Sequence, residues 1–240
     1  MRTARGIAWL TSAALCLVGC GSVEPSARPR GDQPSASPRV GTCAPSSPAV
    51  KQARVVADAD LDGDAKPDRV RLTAAGSACP DVVFAQVPGG YLSAQVPHGG
   101  PPVSSVRAIT LEGRDGALLV VRQDHPRGGF QLRVYAAGPG GLAEVQAQGE
   151  PLVPFVATDV PDHPLSVDCR GDRLLVTEAV AHEPIGIVPA WDVRETAYSL
   201  DGSTVGDSSV KEIADNVLPQ KLATAYPDLA KHTLFASCRG

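Results

Sequence analysis

An acidic stretch of nine residues, Asp60-Leu61-Asp62-Gly63-Asp64-Ala65-Lys66-Pro67-Asp68, constrains the fold of this chain more than any other segment. Its carboxylates stand at loop positions one, three, five and nine, and the backbone carbonyl of Lys66 stands at position seven. One tight turn with this spacing can wrap oxygen ligands around a hard cation, whereas carboxylates packed closely without a cation repel one another. Residues 58–68 therefore predict a calcium loop with the ligands Asp60, Asp62, Asp64, Lys66 and Asp68. The alternative is a solvated Asp-Gly turn that binds no ion.

This loop and the strand-like residues 69–72 resemble the FG-GAP repeat of integrin α-chains, also called a VCBS-type repeat. The pattern of that family is close to D-x-[DN]-G-D-G-x-x-D followed by an apolar strand. The resemblance covers residues 55–72 and implies one blade of a β-propeller that holds calcium. The sequence departs from the pattern at Ala65, where family members usually carry Gly because the sharp turn favours positive φ. An EF-hand is disfavoured because its twelfth position requires a bidentate Glu and is Arg71 here.

Residues 1–19 have the three parts of an export signal, which are a basic start, an apolar run and small residues at the end. The apolar run is too short to span a bilayer. Leu17-Val18-Gly19-Cys20 resembles a bacterial lipobox, in which the Cys thiol receives a diacylglyceryl group before cleavage. This predicts a lipoprotein that Cys20 anchors, through fatty acids such as palmitate, to the extracytoplasmic face of the cell membrane. The alternative is an ordinary secretory signal that is cut nearby.

The rest of the chain divides into two predicted parts. Residues 20–42 are rich in Ser and Pro without apolar periodicity, and they predict a disordered tether. Residues 43–240 contain short, Val-rich runs separated by Gly and Pro, which is typical of a secreted all-β domain.

A weak internal repeat with a period of about fifty residues runs through this domain. It consists of three pairs of strand-like runs, at residues 69–72 with 81–87, 117–121 with 130–135, and 173–177 with 191–200. The predicted fold class is therefore mainly β, with antiparallel sheets in a propeller-like arrangement or an incomplete propeller. A β-sandwich is the alternative.

The C-terminal region predicts short helices. Ser209 with Glu212 forms a capping box, and Val210, Ile213 and Val217 follow helical spacing until Pro219. A second short helix can begin at Pro219 and end before Pro227. Residues 233–238 then predict a last strand.

Four cysteines remain in the predicted domain, at positions 43, 79, 169 and 238. In an exported protein an even number of cysteines indicates disulfides, and four of them allow three pairings. We favour Cys43 with Cys79 and Cys169 with Cys238. A metal site is the rival interpretation, but the sequence has no CxxC spacing to support it.

Features that the sequence lacks exclude several classes of function. With a net charge of −4 and no basic cluster, nucleic acid is not an expected partner. The sequence contains no G-x-S-x-G, no H-E-x-x-H and no Gly-rich phosphate loop. We therefore expect a non-catalytic module that binds an envelope or extracellular protein.

The alternative function is an envelope hydrolase or metal-dependent enzyme that uses loops containing Asp and His. His98, His125, His163 and His182 all lie in loops beside or near prolines, and they would form a zinc or general-base site if those loops met. The two functions can be distinguished by the structure. The enzyme requires five residues to come within metal-ligand distance of one another, namely Asp124, His125, His163, His182 and Glu183.

Overall fold

The computed structural model describes residues 43–97, 100–153, 164–182 and 190–240, with the side chain of His182 excepted. The predictions for the signal peptide, Cys20, the tether, His98, His163 and Glu183 lie outside these residues. Within the described ranges, no helix combines the length and the hydropathy that crossing a membrane requires.

The described residues form three sheets whose main strands are antiparallel, with one short parallel pairing between β9 and β14, and this confirms the mainly β fold class. Sheet 1 contains β1 (Arg54–Ala59), β2 (Asp68–Leu72), β3 (Val82–Val87) and β4 (Gly90–Gln95). Sheet 2 contains β5 (Val103–Ile109), β6 (Leu118–Asp124), β7 (Phe130–Gly138) and β8 (Gly141–Glu144). Sheet 3 contains β11 (Leu165–Arg170), β12 (Arg173–His182), β13 (Ala190–Asp201) and β14 (Thr204–Val217). Two short strands, β9 (Gln146–Ala147) and β10 (Glu150–Pro151), extend sheet 3 beyond β14.

Within each sheet the four main strands follow one another as hairpins. Each predicted pair of strand-like runs coincides with the second and third strands of one sheet. The three units are therefore three copies of one four-stranded meander, an arrangement consistent with an incomplete propeller or a sandwich.

Sheet 2 lies between the other two and is buried on both faces. Along β6, Leu118 and Val120 pack into the core shared with sheet 3, whereas Leu119 and Val121 pack into the core shared with sheet 1. Successive side chains of a strand point to opposite faces, so this continuous apolar run serves two cores at once.

Short helices cover the faces of sheets 1 and 3 that sheet 2 does not. Helix α1 (Pro48–Lys51) buries Val50 against Val82 and Phe84 of sheet 1. Helices α2 (Pro219–Ala225) and α3 (Pro227–Ala230) bury Leu222 and Leu229 in a cluster with Trp191 and Val217 of sheet 3. The predicted helix that begins at Pro219 is confirmed.

Both disulfides form with the favoured pairing. Cys43 bonds Cys79 at the outer face of sheet 1, and Cys169 bonds Cys238 at the C-terminus. The predicted strand at residues 233–238 is wrong, because this segment makes isolated bridges rather than a ladder. Leu234 pairs with Val167 of β11, and Arg239 pairs with Thr110 just beyond β5. The segment therefore joins the first strands of sheets 2 and 3 without belonging to either sheet.

The helix predicted for residues 209–217 is wrong, since these residues belong to β14. The ladder between β13 and β14 is irregular at two places in this stretch. Glu212 pairs with Arg194 and Ala214 pairs with Val193, so Ile213 is an extra residue in the ladder, and a second irregularity precedes Val217. Val210 pairs with Thr196 and Val217 pairs with Trp191, so the two valines lie on opposite faces of the sheet and their helical spacing does not reflect a shared apolar face.

Candidate metal centre

The acidic loop connects β1 to β2 and brings three of its carboxylates together. One carboxylate oxygen each from Asp60, Asp62 and Asp68 lies within 4.8 Å of the other two. Asp60 and Asp68 stand at the two ends of the loop, so the hairpin itself closes the cluster. A set of hard oxygen donors at this separation fits a calcium ion, which takes carboxylate and carbonyl oxygens.

Asp60 organises the turn through its side chain. Its Oδ1 accepts hydrogen bonds from the backbone N–H groups of Gly63 at 2.8 Å and Asp64 at 3.1 Å, and its Oδ2 accepts one from Ala65 at 2.9 Å. This network folds the loop around one carboxylate. Ala65 has a φ of +63°, which confirms that the position where the sequence departs from the family pattern takes the left-handed conformation.

Asp64 is the predicted ligand that does not join the cluster. Its Oδ1 accepts from the backbone N–H of Lys66 at 2.8 Å, and its Oδ2 lies 3.2 Å from the ammonium of the same residue. The backbone hydrogen bond and the nearby ammonium lower the pKa of Asp64 below its ordinary value. The side chain of Lys66 therefore faces Asp64, and the ligand role predicted for its backbone carbonyl stays a prediction.

Asp68 is the buried member of the cluster, with 6% of its surface exposed. Its Oδ2 accepts a hydrogen bond from the backbone N–H of Leu61 at 2.9 Å. Burial raises the pKa of Asp68, and the negative charges of Asp62, Asp64 and Asp60 raise it further, against the effect of the Leu61 hydrogen bond. A cation bound between these carboxylates would offset the repulsion that Asp62, Asp64 and Asp60 exert on ionised Asp68.

The loop is fixed to sheet 2 as well as to its own hairpin. Leu61 is 2% exposed and packs in the core between sheets 1 and 2. The backbone N–H of Ala117 donates to the carbonyl of Asp60 at 2.6 Å. Gly116 has a φ of +77°, and a Cβ at this position would lie 2.4 Å from the carbonyl oxygen of Leu61. Only glycine fits at this position, and it lets the turn before β6 pack closely against the acidic loop.

An open cleft of about 440 Å³ lies beside the loop. The turns that line it come from all three sheets, and they contribute the carboxylates of Asp62, Glu112, Asp115, Asp172 and Asp201. Arg114 is the cation among them, and its Nη2 donates to the carbonyl of Gly202 at 2.9 Å. Burial lowers the pKa of Arg114, while Asp201 and Asp115 raise it. The cleft is acidic overall and suits a cationic group.

Of the residues of the proposed enzyme loops, Asp124 and His125 are those whose side chains the structure describes, so the meeting of these loops stays a prediction. Asp124 Oδ1 accepts from Nε of Arg122 at 2.6 Å, and the N–H of Arg127 donates to Nδ1 of His125 at 3.3 Å. Burial raises the pKa of Asp124, but hydrogen bonds from Arg122 and Ser104 outweigh it and lower the pKa overall. Among the described residues, Asp60, Asp62 and Asp68 are the one group of three or more His, Cys, Asp or Glu side chains placed to hold a metal.

Sequence reasoning missed the contacts that position the loop. The apolar Leu61 inside an otherwise polar loop was a usable signal, because a leucine between two aspartates is best explained by burial. The fit of Gly116 against Leu61 had no such signal, since it depends on packing between two sheets. The acidic cleft likewise joins turns that are far apart in the sequence.

Comparisons of the chain with protein-family models, with curated proteins and with solved structures found no match.

Proposed function

We propose that this chain is a membrane-anchored extracytoplasmic lipoprotein whose β-domain is stabilised by calcium and serves as a non-catalytic binding module. The observation that carries the proposal is the convergence of Asp60, Asp62 and Asp68 at the junction of sheets 1 and 2. The FG-GAP resemblance and the lipobox of Cys20 support the calcium and the anchor respectively.

Calcium would act in this domain as a structural ion. The carbonyl of Asp60 accepts from sheet 2, Leu61 is buried between the sheets, and Asp68 begins β2. An ion held by Asp60, Asp62 and Asp68 would therefore tie the hairpin of sheet 1 to the turn that precedes β6 in sheet 2. A ligand that binds the folded state alone stabilises it by about 2.7 kcal/mol at a concentration of 100 times Kd. For a domain of this size that corresponds to a rise in Tm of roughly 5–10 °C.

Thermal unfolding in EDTA, magnesium and calcium tests this part. We expect calcium to raise Tm and magnesium to do less, because magnesium demands octahedral geometry and dehydrates reluctantly. Asp60→Ala should remove the rise produced by calcium, whereas Asp62→Asn should only weaken it, since an amide oxygen can still ligate. The matched control is Asp207→Ala, an exposed carboxylate on β14, which should leave the rise unchanged. An equal rise in the Asp60→Ala and Asp207→Ala proteins would contradict calcium binding at this loop.

The anchor is tested separately by Cys20→Ser. We expect this variant to lose labelled fatty acid and to be released from the membrane fraction by a high-salt wash, because the thiol is the proposed acylation site. Retention of both the label and the membrane association would refute the lipobox.

The binding function is proposed for the acidic cleft, because loops at the end of a rigid scaffold commonly carry recognition. Its carboxylates favour a partner that presents a basic side chain. The test is capture of an envelope protein by the chain and by Asp172→Asn/Asp201→Asn, with Asp207→Asn/Asp215→Asn as a control that removes the same charge elsewhere. A partner captured equally by all three proteins does not use this cleft.

A further inference from the structure

The outer face of sheet 1 carries a groove of about 510 Å³ with an apolar floor and a basic rim. Phe84 and Val50 form the floor and are buried. Lys51, Arg69 and Arg71 line the rim. Arg71 pairs across the strands with Phe84 on one side, so the cation stands directly beside the apolar floor.

The charge of this groove is opposite in sign to that of the chain, which carries a net charge of −4. Arg69 lies 3.8 Å from Asp58, and both side chains are exposed. Within the described residues no carboxylate lies within 4.0 Å of Lys51 or Arg71. The groove is lined by three cations and by one carboxylate, that of Asp58, so it carries an excess of positive charge on a chain of net negative charge.

Exposed apolar side chains stand next to these cations. Tyr91 lines the groove and is 46% exposed, and Val55, the other strand neighbour of Arg71, is 48% exposed. These are two of the five large apolar side chains that are exposed in the described part of the chain. A mixture of basic, tyrosine and aliphatic side chains suits the boundary between lipid headgroups and acyl chains.

The chain enters the domain at this same face. Cys43 packs in the cluster that contains Val50 and Phe84, and its disulfide to Cys79 holds it there. Residues 21–42 separate Cys43 from Cys20. They span at most about 80 Å, which would keep this face at an effective concentration on the order of millimolar near an anchored membrane.

We propose that the groove face of sheet 1 docks on the anionic headgroup surface of the membrane that holds the chain. The inference rests on the proposed lipid anchor for its geometry, but the docking contacts themselves are made by Lys51, Arg71, Arg69, Tyr91 and Val55. Docking would turn sheet 1 toward the membrane and would hold the domain in one orientation.

The test uses residues 20–240 with Cys20→Ser, so that no acyl chain contributes to binding. Co-sedimentation is measured with vesicles of 30% phosphatidylglycerol in phosphatidylcholine and with vesicles of phosphatidylcholine alone. We expect binding to the anionic vesicles that weakens with added salt. Lys51→Gln/Arg71→Gln should lower the partition coefficient roughly 25-fold, at about fivefold for each charge. The control Lys221→Gln/Arg127→Gln removes the same charges from exposed positions elsewhere and should lower it less than threefold.

Equal partitioning of the two double variants, or equal binding to both kinds of vesicle, would overturn the inference. An unchanged Tm in both double variants excludes misfolding as the cause of lost binding. The outcome is separable from the anchor, because fatty-acid labelling of the wild-type chain is measured independently. If the wild-type chain is labelled but the Cys20→Ser chain does not bind the anionic vesicles, the docking surface is refuted and the anchor stands. If the Cys20→Ser chain binds these vesicles but the wild-type chain is not labelled, the anchor is refuted and the docking surface stands.

Discussion

Replacement of Ala65 by glycine tests the backbone of the acidic loop directly. Ala65 is exposed and has a φ of +63°, and its N–H donates to Asp60. The left-handed conformation costs a residue with a Cβ roughly 1–2 kcal/mol. Glycine avoids this cost but loses more backbone entropy on folding, roughly 0.5–1 kcal/mol. The net stabilisation expected for Ala65→Gly is therefore about 0.5–1 kcal/mol, since no buried surface and no hydrogen bond are lost.

The assay is thermal unfolding with and without calcium, supported by the urea midpoint at constant m-value. A gain of about 0.5–1 kcal/mol corresponds to a rise in Tm of roughly 1–4 °C for a domain of this size. The rise is expected in EDTA as well as in calcium, because the strain lies in the backbone itself. Ala75→Gly is the matched control, since Ala75 is an exposed turn residue without positive φ. It should lose about 0.5–1 kcal/mol.

Two outcomes would contradict this reasoning in different ways. If Ala65→Gly is as destabilising as Ala75→Gly, the residue does not occupy the left-handed region. If Ala65→Gly raises Tm in calcium and not in EDTA, the turn adopts this conformation only around the ion, and the gain belongs to binding rather than to folding.

Three further predictions concern the surroundings of the loop and the C-terminus. Burial raises the pKa of Asp68, so its contribution to stability is present below the ordinary carboxylate pKa and is lost as the pH rises through the folded pKa. In EDTA, the Tm of Asp68→Asn should therefore rise relative to that of wild type as the pH rises from about 4 to 7. In calcium, wild type should be the more stable protein. A difference in Tm between the two proteins that stays constant with pH in EDTA would contradict this reasoning. Leu61→Ala should lower the free energy of unfolding by about 2–5 kcal/mol because it leaves a cavity between two sheets, whereas Leu218→Ala, at an exposed leucine, should change it by less than about 0.5 kcal/mol. Removal of the disulfide by Cys169→Ser/Cys238→Ser opens a loop with a sequence separation of 69 and should cost about 4 kcal/mol in urea unfolding, and an unchanged urea midpoint would show that the C-terminal segment holds without it.

The sheets could be predicted because their signals are local. Strands β2, β3, β6, β7, β12 and β13 carry Val-rich runs bounded by Gly- or Asp-containing turns, and pairing between neighbours in sequence needs no long-range information. The prediction for β14 was wrong because it, too, relied on local spacing alone. Val210, Ile213 and Val217 stand at helical intervals in the sequence although Val210 and Val217 lie on opposite faces of the sheet, and the pairing partners that reveal a strand lie on β13.

The carboxylate cluster was also predictable, because its members share one loop and a hairpin brings its ends together. The contact of Asp64 with Lys66 could not be predicted in the same way. The spacing rule treats position five as a ligand and takes no account of a lysine two residues away. The cleft was out of reach for a different reason. Its carboxylates come from turns of three sheets, and their convergence follows from how the sheets stack.

The way the two end sheets are covered bears on the choice between a stack and a closed ring. Sheet 2 is buried on both faces, so the stack could continue only through the outer faces of sheets 1 and 3. On sheet 1, α1 and the segment held by Cys43–Cys79 occupy part of that face, and on sheet 3 the helices α2 and α3 do so. In a ring these faces would pack against each other as neighbouring blades, which requires them to be bare. Capping segments at both ends are instead typical of a linear array whose terminal units must be protected from solvent. The covered end faces therefore favour an open stack of three sheets, in which the groove beside Arg71 is the part of the sheet 1 face that the cap leaves free.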